Sequence, residues 1–327
     1  MPRNPILPFT FLCLLVLAGA CYTNQLTLNI LEPAAVTLPA SIHRISILPL
    51  PGFFSKPGVF DSISHITLET SSGVKDIKMG YLHGIYDILS HSPRFQKVIL
   101  SEDSTTRSIS NGQLYWDDAE RICKHDTTDV LLVLSKAVSY DALDNFNYNG
   151  FEIYSDFNYK LVNNTKWIFY LPAKQKELAR FMFSDTLIIT GGLSYLEFDE
   201  LLYEACYASG KRAGTKLSPH WNDAYRFFFT GPGKDMRTAA GLVMKNQWVD
   251  AGTIWNRLAD GPKKTLASRA AYNLALAYER DDVLDQAVLW ITYSDSLSDN
   301  KMTSTYKKVL NARLKTKSIL DQQMAGN

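Results

Sequence analysis

At Gly231-Pro232-Gly233 the hydrophobic period of this chain changes, and the change dictates two kinds of architecture. From about Gln25 to Gly231, short apolar runs that alternate or cluster as strands do are interspersed with helical stretches. From Lys234 to the end, apolar residues recur every three or four positions. An α/β part is therefore expected to precede an all-α part.

In the first part, Leu26, Leu28 and Ile30 alternate as a half-buried strand does, and Ile42 to Leu50 reads as a second strand bounded by Pro39 and Pro51. A helix starting near Ser71 or Ser72 places Ile77, Tyr81, Ile85, Ile88 and Leu89 on one side and ends at Ser92-Pro93. The order then repeats: a strand from Phe95 to Leu100, a helix from Trp116 to Lys124 with Ala119, Ile122 and Cys123 inward, and a strongly apolar strand from Val130 to Val138. Two successive strand-helix-strand units imply a partly parallel sheet with helices packed on it. Phe151 to Val162, Lys166 to Leu171 and Glu177 to Thr190 follow as strands. They are separated at Asn163-Asn164 and at Pro172 to Lys176, which suits an antiparallel meander. A helix from Tyr195 to Ala213 comes next, with Leu196, Leu201, Leu202, Ala205 and Cys206 inward and a capping box made by Ser194 and Glu197.

In the second part, Ala239, Leu242, Ala251 and Trp255 recur thirty-six residues later as Ala275, Tyr278, Ala287 and Ile291. That spacing is close to the tetratricopeptide period of about 34 residues, in which small residues let paired helices approach and a large one fills the gap beside them. Lys234 to Ser298 resembles two such repeats, although the early tryptophan is missing and only the first unit has a proline, Pro262. A last helix, Thr303 to Gln323, completes a small stack. Such stacks present a concave face to peptides or helices. Asn246, Arg269, Asn273 and Arg280 are the residues expected to line it and to bind a protein partner.

The amino-terminal segment gives an address. Arg3 precedes an apolar run from Ile6 to Ala20, which ends in Leu17-Ala18-Gly19-Ala20-Cys21. The run is short for a bilayer span, which needs about 20 apolar residues, and has the charged, apolar, small-residue anatomy of a signal sequence. Small residues directly before Cys21 fit the peptidase that processes bacterial lipoproteins, so 1–20 is expected to be removed and the Cys21 thiol to carry lipid. Ala18 stands where leucine is usual. At about 0.8 kcal/mol per buried methylene, the acyl chains would hold the protein to a membrane. Tyr22 is not the aspartate that retains lipoproteins in the inner membrane, and Tyr22-Thr23-Asn24-Gln25 lacks the acidic cluster of surface export. The outer membrane and its periplasmic face are the expected location.

The leader, the mixed sheet, Ser218-Pro219-His220-Trp221 through Arg226-Phe227-Phe228, Asn246-Gln247-Trp248 and Ala270-Ala271-Tyr272-Asn273-Leu274-Ala275 together resemble an uncharacterised family of Gram-negative envelope lipoproteins with a tetratricopeptide-like tail. The resemblance implies no assigned activity. The expected organisation is a signal peptide over 1–20, a lipid-anchored α/β domain (mixed sheet with flanking helices and an antiparallel meander) over 21–233, and an all-α tetratricopeptide-like helical stack over 234–327.

Chemistry is sparse. Without Arg3 the chain has 33 basic and 33 acidic residues, so the basic excess of a nucleic-acid binder is missing. Cys123 and Cys206 remain after Cys13 leaves with the leader and Cys21 is modified, and either buried free thiols or a disulfide fits the sequence. The six histidines are scattered and no HExxH or CxxC occurs, so no metal is expected. Gly192-Leu193-Ser194-Tyr195 lacks the second glycine of a nucleophile elbow, and no GxGxxG or GK[ST] follows a strand. Asp117, Asp118 and Glu120, like Asp199, Glu200 and Glu204, lie near helix starts, where the backbone dipole already favours negative charge. The reading is a non-enzymatic envelope scaffold that needs no cofactor. The alternative is binding or hydrolysis of a small molecule or glycan at the carboxyl ends of the parallel strands, near Gly52 to Asp61 or Ser101 to Asn111.

Overall fold

A computed structural model describes residues 22–50, 54–55, 71–101, 108–109, 113–141, 158–190 and 195–325. The leader, Cys21, Ser194, and nearly all of 52–61 and 101–111 lie outside the described residues. In chain order the strands are β1 (Thr23–Glu32), β2 (Arg44–Pro49), β3 (Phe54–Ser55), β4 (Lys97–Leu100), β5 (Ser108–Ile109), β6 (Gln113–Leu114), β7 (Val130–Asp141), β8 (Asn158–Leu171), β9 (Lys176–Thr190) and β10 (His220–Phe229). The helices are α1 (Ser71–His91), α2 (Trp116–Asp126), α3 (Tyr195–Leu217), α4 (Lys234–Met244), α5 (Trp248–Ala259), α6 (Lys264–Arg280), α7 (Leu284–Leu297) and α8 (Lys301–Met324).

A mixed α/β region is thus followed by a run of helices. By contacts the chain forms two units, one of residues up to Ile30 with Asn222–Ser318, the other of Leu31–Trp221 with the chain end from Ile319. The change of period lies at Gly231 to Gly233, but the contact boundary falls earlier, within β10. The reason is packing: Ala224, Phe228 and Phe229 are buried among helical residues such as Met236, Ala270 and Leu310.

The α/β unit is built on a sheet of order β4-β2-β7-β8-β9, with β3 also paired to β7. β2 is parallel to β4, with Ile45 beside Val98, and to β7, with Leu48 beside Val133. The meander β7-β8-β9 is antiparallel. Alternation splits β7 between two cores. Val130, Leu132 and Leu134 join Ile45, Ile47, Trp167 and Phe169 beneath α1 and α3, while Leu131 and Val133 join Ile168, Tyr170 and the Ala119-Ile122-Cys123 stripe of α2. Each fully buried aliphatic side chain contributes about 1.5–3 kcal/mol.

One expectation is corrected. Asn163-Asn164 does not separate two strands, because β8 runs through both, with Asn163 opposite Ser139 of β7 and Asp185 of β9. Partners on both sides fix the backbone there, and β-branched Val162 and Thr165 flank the pair without a glycine. The reversal expected at Pro172 to Lys176 is present as a short 3-10 turn, Pro172–Lys174, closed by Gln175 at φ 46°.

In the helical unit the thirty-six-residue period is visible in the backbone itself. Asn246 and Asp282 occupy the left-handed region at φ 61° and 56°. The amide of Gln247 donates to Leu242 C=O as that of Val283 does to Tyr278, and Asn246 donates to Val243 as Asp282 does to Glu279. Ala239, Ala251 and Trp255 are fully buried, and so are their counterparts Ala275, Ala287 and Ile291. The two helix-turn-helix pairs, α4-α5 and α6-α7, thus share the geometry of their turns and the burial of these positions. β1 and β10 pair as a two-stranded sheet.

Candidate functional site

The four residues expected to line one groove separate into two pairs. Asn273, on the inner side of α6, is completely buried, and its amide is used at both ends: Oδ1 accepts from the Phe229 N–H (2.8 Å) and Nδ2 donates to the Phe229 C=O (2.7 Å). One turn earlier, Arg269 donates to Gly231 C=O (3.0 Å), and its guanidinium lies 5.3 Å from the Phe229 ring and 5.6 Å from that of Tyr22. The expectation that Asn273 faces an external partner is therefore corrected. This part of the helical surface grips an extended backbone, but the backbone is the end of the chain's own β10.

Asn246 and Arg280 lie elsewhere, at the end of the stack where the two equivalent turns come together. Asn246 is exposed and closes the α4-α5 turn. The Arg280 guanidinium stands 5.0 Å over the Trp248 ring and also meets Asp281 at 3.1 Å. Trp248 rests edge-on against the buried Trp255, with centroids 6.4 Å apart. Met244 and Val249 are 68% and 84% exposed beside these residues in sequence, and Val283 is exposed in the second turn. A cation held over an indole, with bare aliphatic side chains next to it in both turns, makes this the part of the unit best suited to an external surface. Trp248 stands out in the sequence only within Asn246-Gln247-Trp248, and Met244 and Val249 do not stand out at all. Their signal was available in the alignment of the two turns by the thirty-six-residue period.

Beneath it lies a charge network that the sequence did not reveal. Glu279, buried on α6, accepts from Arg226 Nε and Nη2 (2.8 Å each), Arg313 Nη1 (2.8 Å) and Tyr306 Oη (2.6 Å). Burial alone would push this carboxyl up. The hydrogen bonds and charge of Arg226, with Tyr306 and Arg313, outweigh it and hold the group below the ordinary glutamate value. Burial and the facing Glu279 together push the Tyr306 phenol well above its usual range. Arg313 continues to Asp282 (3.1 Å), which also meets Lys317 (2.8 Å). The network ties β10, α6 and α8 together through partners remote in sequence.

Among the described residues of the α/β unit, the buried Ser46 hydroxyl donates to Asp126 Oδ2 (2.7 Å) and meets Thr128 Oγ1 (2.8 Å), and His125 meets Asp126 (2.9 Å). His83 meets the Tyr203 hydroxyl (3.0 Å), and His91 meets Asp87 (3.2 Å). Asp118, buried at the start of α2, pairs with Arg121 (3.2 Å). No group of three or more His, Cys, Asp or Glu among the described residues is placed to hold a metal. Cys123 and Cys206 are free thiols on opposite faces of the sheet, and burial pushes the Cys123 thiol up to about 11.

Comparison with known proteins follows the same division. A family model described as Domain of unknown function (DUF6340) matches residues 237–312, which begin within α4 and end within α8. Residues 55–229, from β3 to the end of β10, match another, described as Domain of unknown function (DUF8603). No curated protein matches the chain. Among solved structures, a neuraminyllactose-binding hemagglutinin homolog from Helicobacter pylori is similar over 57% of this chain and 87% of that one, at 10% identity and a TM-score of 0.30. The PelC dodecamer from Paraburkholderia phytofirmans is similar over 60% and 98%, at 8% identity and a TM-score of 0.23. Because the second family model spans more than half of its residues, the chain belongs to the family described as Domain of unknown function (DUF8603).

Proposed function

We propose that this chain is a non-enzymatic, lipid-anchored protein of the outer membrane, facing the periplasm, whose tetratricopeptide-like helical unit recruits another envelope protein. The observation that carries the reading is the sequence Leu17-Ala18-Gly19-Ala20-Cys21 standing one residue before the fold begins. Tyr22 is already engaged: its carbonyl accepts from the Thr230 amide (2.7 Å), and its ring lies under Arg269. An anchor at Cys21 would thus hold the helical unit with no intervening linker. Among the described residues no helix is long and apolar enough to cross a membrane.

The partner surface in this reading is the turn end formed by Asn246, Trp248 and Arg280 with Met244, Val249 and Val283. Intact-mass measurement of the protein purified from its native membrane tests the anchor. The expected mass is that of the chain from Cys21 plus a diacylglyceryl group on its thiol and one acyl chain on its amine, and an unacylated Cys21 or a retained leader overturns the reading. Crosslinked pull-down tests the surface. A Val249→Asp, Arg280→Ala variant is expected to lose the neighbour recovered with the native sequence at unchanged stability, and equal recovery removes the turn end from the proposal.

A further inference from the structure

The two-stranded sheet of the helical unit has one packed face and one bare face. Leu28 and Ile30 of β1 and Ala224 and Phe228 of β10 are buried in the helical core, with Leu26 packed against it. Strand alternation places Gln25, Thr27 and Asn29 on the opposite face together with Asp223, Tyr225 and Phe227. All six are exposed, Tyr225 by 66% and Phe227 by 49%. Asn29 Nδ2 donates to Asp223 Oδ1 across this face (3.0 Å). Two large rings, two residues apart on a paired strand, are left in water by the fold.

Their position identifies the occupant. The Thr230 amide donates to the Tyr22 carbonyl at one end and Asn29 meets Asp223 further along, so the strands run in opposite directions and Tyr22 lies beside the Phe227 end of β10. At about 3.4 Å per residue, Phe227 lies about 10 Å and Tyr225 about 17 Å along the strand from Thr230. Asp223, the acidic residue of the face, is at the far end and already bonded to Asn29.

Resting on the reading of Cys21 as a lipid anchor, we infer that this face lies against the same membrane. Phe227 and Tyr225 then sit in the interfacial layer. The hydroxyl gives the Tyr225 ring a polar edge that favours the headgroup level, and Phe227 adds an apolar ring beside it. The polar layer is only about 5–8 Å deep on each side of the hydrocarbon. A ribbon standing upright from the anchor would carry both rings out of it, so contact at both positions requires the ribbon to lie along the surface.

Photo-crosslinking of the full-length acylated protein tests this. Tyr225→p-azidophenylalanine, Phe227→p-azidophenylalanine and, as a control on exposed α5, Thr253→p-azidophenylalanine are reconstituted in vesicles of phosphatidylethanolamine and phosphatidylglycerol and illuminated. The expected result is phospholipid adducts at 225 and 227 and none at 253. An acylated Cys21 by intact mass with no adduct at 225 or 227 overturns the docked face and leaves the anchor standing. A mass without acyl chains overturns the anchor and the docked face together.

Discussion

Asn273 holds both backbone groups of Phe229, accepting from its amide and donating to its carbonyl. A primary amide carries its donor and its acceptor on separate atoms side by side and so satisfies both backbone groups of one residue at once, which fixes the end of β10 to α6. Replacing it leaves two buried backbone groups without partners. Asn273→Ala is expected to lower the free energy of unfolding by about 2–4 kcal/mol, read from the denaturant midpoint. A change below about 0.5 kcal/mol, the scale of a surface substitution, would show that Phe229 finds other partners.

Glu279 makes the helical unit sensitive to acid. Its carboxyl is held below the ordinary glutamate value in the folded protein, because Arg226, Tyr306 and Arg313 outweigh its burial. Its contribution is therefore complete above the unfolded value of about 4.3 and is lost as pH falls through the depressed folded value. Glu279→Gln leaves Arg226 buried without its counter-charge and is expected to cost about 3–5 kcal/mol at neutral pH. The gap between the variant and the native protein should then narrow as the pH is lowered below about 4. A gap that stays constant down to pH 2 would mean that the charge on Glu279 contributes nothing.

The parts of this fold that were legible in the sequence are those in which a residue's neighbours in the chain also decide its burial. The alternation of Leu26, Leu28 and Ile30, the stripe Ala119-Ile122-Cys123 on α2 and the paired alanines of the repeats are patterns of that kind, and each packs as its spacing requires. Asn163 shows the limit. Locally Asn-Asn favours a turn, but pairing to both β7 and β9 overrides that preference, and such pairing is not encoded within a window of ten residues. Asn273 failed for a related reason. Its place on α6 was readable, yet the segment that it grips lies 44 positions away. The Glu279 network is likewise assembled from β10, α6 and α8.

The two cysteines of the folded part should behave as separate, inert thiols. Cys123, on the inner side of α2, packs against one face of the sheet and Cys206, on the inner side of α3, against the other, so their Cα atoms are kept from the 4.4–6.8 Å or so that a disulfide spans. Burial raises the Cys123 thiol to about 11, so little thiolate exists at neutral pH. A thiol reagent at pH 8 is expected to react with neither in the folded protein. Under denaturing conditions without reductant it should titrate both. Finding no thiols in that second measurement would establish a bond between them and contradict the arrangement of the sheet.

Glycine-to-alanine substitution should change stability in opposite directions in the two units. α1 crosses α3 so closely that a Cβ at Gly84 would overlap the Tyr207 carbonyl oxygen and stand 2.8 Å from the Lys211 amide nitrogen. At Gly80 it would stand 2.7 Å from the Tyr203 oxygen. These are backbone atoms of the facing helix, which cannot move aside as a flexible side chain does. Gly84→Ala is expected to destabilise by about 1–3 kcal/mol or more, the cost of overpacking a close contact. In the helical unit, Gly241 of α4 and Gly252 of α5 have nothing within 4 Å of the same position. An added methyl there meets no neighbour and restricts the unfolded chain, so Gly241→Ala and Gly252→Ala are expected to stabilise by about 0.4–1 kcal/mol each. Unfolding midpoints of the three variants decide the matter, and a Gly84→Ala protein as stable as the native one would mean that α1 and α3 do not approach to backbone contact.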